Sequence, residues 1–190
     1  MGREAYRMGV KFVNTEISKN EIIEELLELG AIDTQKGQYG QIDMEIPFAE
    51  GYLEMLIYNQ REYRKLMDEA LYSSENLKHL KSDETPNNTL MEMRFAKLNS
   101  VDLVDRIMEV MTTLHQKGII EKVGDIETRQ TINFDEYSDF KDRVKKAKEE
   151  YESWHHSLPY PIRCSEVYDT YHKLYPEEYR IGSSNDLKSM

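Results

Sequence analysis

A single cysteine, Cys164, in 190 residues rules out an intrachain disulfide, so the fold must be held by packing. No stretch has the apolar length of a membrane span or of a signal-peptide core, and the expected location is cytoplasmic. Positive charge is in deficit: 25 Lys and Arg stand against 36 Asp and Glu, a net charge of −11. Such a surface repels nucleic-acid phosphates and anionic lipid, so neither nucleic acid nor membrane is an expected partner. The nine glycines are scattered; Gly37, Gly40 and Gly51 do not form GxGxxG, and no GK[ST] occurs, which excludes those routes to nucleotide binding. HExxH, CxxC and acidic calcium loops are missing as well. His155 and His156 are adjacent, and adjacent helical side chains point about 100° apart, a poor chelate. No metal and no cofactor are expected.

The residues best equipped for chemistry stand near the C-terminus, where Cys164, Glu166, Asp169 and His172 are close in sequence. On a helix, Cys164 and His172 lie two turns apart, roughly 12 Å, beyond the reach that thiol activation needs. His115 suits the negative end of the helix that carries it. With no catalytic motif to assign, the chain is expected not to be an enzyme.

What is present is periodicity, ten Met and thirteen Tyr, which argue for a folded chain despite 32% charged residues. The strongest core candidate is Ser100–Lys117, a helix with Leu103, Val104, Ile107, Met108, Val110, Met111 and Leu114 over nearly half its circumference. Asn99 or Ser100 is the expected cap and Gly118 the expected stop. Earlier in the chain, residues 1–7 read as a leader, and Met8–Val13 as a short strand. Ser18 and Glu21 then have capping-box spacing at the head of a helix that ends at Gly30. Residues 41–47 and 52–58 alternate apolar and polar and form a hairpin; 60–80 is helical, 82–88 a linker, and 90–98 a strand feeding the central helix. Residues 119–134 fit either one bent strand or a hairpin turning at Gly124-Asp125. Asn133 with Glu136 has capping spacing, and Tyr137, Phe140, Val144, Ala147, Tyr151 and Trp154 then recur every three or four residues. That stripe is short for a coiled coil and is expected to pack on the chain's own sheet, although it leaves a homodimer open.

The expected class is α+β: one largely antiparallel sheet with helices mainly on one face, the other face partly exposed, in a ferredoxin-like or internally duplicated β-α-β-β-α arrangement. A single domain spans residues 8–158, with pseudo-repeats 8–80 and 90–156. A Tyr- and Pro-rich segment, 159–181, packs on it, and 182–190 form a flexible tail.

Two features point toward a partner. Glu21, Glu24, Glu25 and Glu28 share the wet side of the first helix, and Tyr160, Tyr168, Tyr171 and Tyr175 crowd the C-terminal segment, where large rigid rings with polar tips suit a protein interface. Each has a plainer reading, a solvated face for the acids and burial against the domain for the rings. This profile, carried by composition and size, resembles that of bacterial immunity proteins and antitoxins. The resemblance implies an inhibitor that blocks a basic partner enzyme, with acids steering encounter and tyrosines anchoring it. Two alternatives remain: a small-molecule-binding protein or enzyme with its site on the exposed sheet face, and a structural subunit of a homo-oligomer.

Overall fold

Strict alternation gives the strands two unlike surfaces, and in the computed structural model these become the two faces of one sheet. The structure describes residues 4–35, 37–71 and 85–176. Seven strands, β1 (Ala5–Phe12), β2 (Ile32–Asp33), β3 (Ile42–Phe48), β4 (Gly51–Asn59), β5 (Thr89–Ala96), β6 (Ile120–Asp125) and β7 (Thr131–Ile132), lie in the order β2-β3-β4-β5-β1-β6-β7. Every neighbouring pair is antiparallel. With helices α1 (Lys19–Glu28), α2 (Gln60–Leu71), α3 (Leu103–Gln116), α4 (Ser138–Glu152) and α5 (Cys164–Leu174), the class is α+β. The outermost strands have two residues each, which leaves little free edge for unwanted pairing.

One face is the core. Tyr6, Met8, Val10 and Phe12 of β1, Leu53, Met55 and Ile57 of β4, and Met91, Met93 and Phe95 of β5 all point into it. Ile22 and Leu26 of α1, the apolar side of α3, and Phe140 and Val144 of α4 cover them. All seven residues expected to form the apolar side of α3 are buried. Both strands flanking α3, β5 and β6, are antiparallel to β1, so they run parallel to each other and α3 crosses over β1 between them. The segments read as pseudo-repeats, 8–80 and 90–156, are thereby interleaved: both neighbours of β1, β5 and β6, belong to the second. Within residues 5–96 the order is β3-β4-β5-β1, so β1 does not sit beside β4.

Local differences from the sequence reading have identifiable causes. Ala5, Tyr6 and Arg7, read as part of a leader, belong to β1, where Tyr6 stacks on Phe95 and donates its hydroxyl to Asp125 at 2.7 Å. The Ser18–Glu21 capping box forms as expected. By contrast α3 begins at Leu103, after a turn closed by Leu103 N–H to Ser100 O, because Asn99 is committed elsewhere. Asn133 accepts from the Asp135 amide in a turn, and α4 starts later, at Ser138. Residues 119–134 form the hairpin β6–β7, held by Asp125, whose carboxylate accepts from the amides of Glu127 and Thr128. The helix expected over 60–80 is seen as far as Leu71; its remainder, the start of the linker and the tail lie outside the described residues. No helix among the described residues is long and apolar enough to cross a membrane.

Candidate functional site

The second face of the sheet carries charge where the first carries methionine. Glu45 and Glu54 stand directly opposite each other on β3 and β4, an arrangement that like-charge repulsion disfavours, and both are buried. Two arginines relieve it. Arg94 of β5 meets Glu54 at 3.0 Å, and Arg163, just before α5, grips Glu45 through two bonds of 2.7 Å while lying 4.0 Å over the Tyr52 ring. The Cys164 amide adds a bond of 2.6 Å to Glu54. Nearby, Asn99 donates to Ile162 O and accepts from Ile162 N–H, both at 2.9 Å, which explains its absence from the cap of α3. The C-terminal segment is thus stapled onto the sheet by charge and amide pairing. A small second core of Ala96, Leu98, Leu158, Ile162, Val167 and Tyr171 lies beneath it.

This geometry bears on the residues considered for chemistry. Burial, with the Glu54 carboxylate alongside, pushes the Cys164 thiol far up, so it stays protonated and is no nucleophile at neutral pH. Glu45 with Arg163 drives that guanidinium still higher, so it stays a fixed cation. His115 stacks on Phe134 at 4.6 Å and places Nδ1 3.0 Å from the Ile120 carbonyl, near the end of α3. No group of three or more His, Cys, Asp or Glu that could hold a metal ion occurs among the described residues.

Of the acids on α1, Glu21 closes the capping box, and the Ser18 side chain and amide hold its pKa down. Glu25 and Glu28 both receive Lys117 Nζ, at 2.6 and 2.7 Å, and its hydrogen bond lowers the pKa of Glu28. Glu24 points to solvent with no ion-pair partner among the described residues. The four do not form one bare acidic face.

The tyrosines divide too. Tyr171 is 2% exposed, with its hydroxyl on the His156 carbonyl, and Tyr175 packs partly against the second core and stacks on His156. Tyr160 and Tyr168 remain 58% and 51% exposed. By spacing, Trp154 is the last member of the α4 stripe. The stripe starts in the main core with Phe140 and Val144, passes to the second core with Tyr151, and leaves the protein at Trp154, which is 80% exposed. The helix ends at Glu152 and the chain turns toward α5, so Trp154 is carried off the buried side. His155-His156-Ser157 and Pro159, immediately downstream, were the signal that could have found this break.

Trp154 lines an open cleft of about 500 Å³ together with Glu150 and Tyr151 from the last turn of α4, His155 just past it, and Lys97 and Glu127. Elsewhere, on the part of the second face not covered by α5, Gly9 and Gly124 face each other across β1 and β6 and leave a shallow hollow of about 350 Å³. Compared with known proteins, the chain matches no family model, no curated protein and no solved structure.

Proposed function

We propose that this chain is an acidic, cytoplasmic protein-binding module that occupies the surface of a basic partner, as an inhibitor of the immunity-protein or antitoxin type does. The observation that carries the reading is Trp154: a lone tryptophan, 80% exposed at the rim of a cleft, is the residue type that most often dominates binding energy once a partner desolvates it. The net charge of −11 supplies long-range attraction for a basic surface. Glu24, Tyr160 and Tyr168 stand ready as accessible contacts, whereas Tyr171 contributes by fixing the segment that presents the two tyrosines.

The test is recovery and inhibition together. The tagged chain, passed at low salt over extract of its native host, is expected to retain a basic protein in equimolar amount, whose own activity falls when the chain is added back. Absence of any stoichiometric partner, or a partner with undiminished activity, overturns the inhibitor reading.

A second reading, small-molecule binding on the sheet face, is favoured by one observation. The hollow over Gly9 and Gly124 is walled by Tyr58, Leu90 and Ile126 and rimmed by Lys122 and Glu92, an apolar floor with convergent polar groups.

A further inference from the structure

The protein twice builds the same three-part contact inside itself. Arg163 lies over the ring of Tyr52 and is gripped by the Glu45 carboxylate. Arg143 lies 5.7 Å over the ring of Phe140 and donates to the Asp125 carboxylate at 3.0 Å. In both, a planar guanidinium satisfies an aromatic face and an anion at once, as its shape and weak hydration favour.

The cleft beside Trp154 holds two of these three parts. Tyr151 and His155 stand 4.5 Å apart between ring centroids, Trp154 completes an aromatic wall, and Glu150, in the last turn of α4, lines the same cleft. Lys97, which also lines the cleft, is paired with Glu127 at 3.1 Å and is largely buried. The Glu150 carboxylate is exposed and has no ion-pair partner among the described residues, and among those residues the cleft is lined by the carboxylates of Glu127 and Glu150, by Lys97 and by no guanidinium.

We propose that the Trp154 cleft receives an arginine side chain of the partner protein, stacked on the indole and paired with Glu150. The inference rests on the protein-binding reading above and names the contact by which a basic partner is recognised. Lysine fits less well: a compact, strongly hydrated ammonium does not stack on an indole face as a guanidinium does.

The chain's single tryptophan makes the test direct, because tryptophan emission excited beyond the tyrosine absorption band reports this site alone. Titration with acetyl-Gly-Arg-Gly-amide is expected to give a saturable change in emission. The isosteric citrulline peptide, which keeps the shape and loses the charge, and the lysine peptide should each bind about fivefold more weakly. Glu150→Gln, with an unchanged thermal melt, should weaken the arginine peptide by a similar factor, about fivefold. Trp154→Leu, followed by NMR shift titration, should abolish saturable binding. Equal binding of the citrulline or lysine peptide, or full affinity in Glu150→Gln, overturns the proposal. The two readings fail separately. A recovered basic partner that binds Trp154→Leu as tightly as wild type removes this cleft and keeps the inhibitor. Peptide binding with no partner recovered keeps the cleft as a guanidinium receptor and removes the inhibitor.

Discussion

The two faces of the sheet are covered by opposite means. Against one, α1, α3 and α4 lay apolar side chains on methionine, leucine and isoleucine; against the other, α5 has a small apolar core of its own and is fixed in place by Arg163 on Glu45 and by the Cys164 amide on Glu54, a carboxylate that Arg94 pairs within the sheet. The first attachment is non-directional and summed over many groups, so it tolerates small changes of shape and fails under large ones. The second depends on a few charges whose geometry must be right, since a buried carboxylate that loses its partner is worse than one never buried. A stable domain and a positioned appendage follow from this difference. The helix-covered face holds the fold, and the charged face fixes where the C-terminal segment presents Tyr160 and Tyr168.

Breaking the first face should have the largest effect. Met108 is fully enclosed in α3, and Met108→Asp places a carboxylate there with no partner, at a cost on the order of 5 kcal/mol or more. The variant is expected to show no cooperative melt by circular dichroism; a melt near the wild-type temperature would relocate the core. Breaking the second face is milder and partly repairable. Arg163→Met takes from the buried Glu45 its two-bonded guanidinium, and because the Arg163 side chain keeps some contact with water the loss is about 3 kcal/mol. Adding Glu45→Gln to that variant removes the buried charge that lost its guanidinium and should return more than half of the loss in urea denaturation. Simple additivity of the two single changes would contradict a direct pair.

The same difference decided what could be read from the chain beforehand. The apolar side of α3, the alternation of β3, β4 and β5, and the Ser18 capping box are local patterns, and local patterns survive into the structure when nothing distant competes. Asn99 shows what happens when something does: a suitable cap was taken by the backbone of Ile162, 63 positions away. Arg163 and Glu45 are separated by 118 positions, and no periodicity announces such a pairing. Strand order was hidden for the same reason, because the insertion of β1 between β5 and β6 is a choice among pairings that the alternation of each strand permits equally. Trp154 lay between these cases. Its spacing matched the stripe, but the helix ended two residues too soon to bury it.

Asp125 sharpens the comparison because it is a charged side chain admitted to the edge of the apolar face. Burial would raise its pKa, yet hydrogen bonds from Tyr6, from the Thr128 hydroxyl and amide, and from Arg143 hold it below the ordinary aspartate value. A carboxylate whose folded pKa is depressed contributes stability that is complete above its unfolded pKa, about 3.9, and is lost as pH falls through the folded value. Asp125→Asn should therefore cost about 2 kcal/mol at pH 7, and the gap from wild type should narrow at pH 3, where the unfolded carboxylate takes up its proton ahead of the folded one. A gap equally wide at both values would mean that the side chain's shape, and not its charge, holds the β6–β7 hairpin.

The smallest effect on folding should come from α1, and it separates attraction from anchoring. Glu24 takes part in no ion pair among the described residues, whereas Glu28 shares Lys117 with Glu25. Reversing Glu24 to Lys leaves that bridge intact, so the melting temperature should be unchanged. Against a basic partner the reversal adds repulsion at long range, which slows association by about twofold to fivefold at low ionic strength and leaves dissociation alone. At 0.5 M salt, with screening over less than 5 Å, the difference in association rate should vanish. An increase in the dissociation rate of Glu24→Lys would instead put α1 inside the contact surface and shift the anchor away from Trp154.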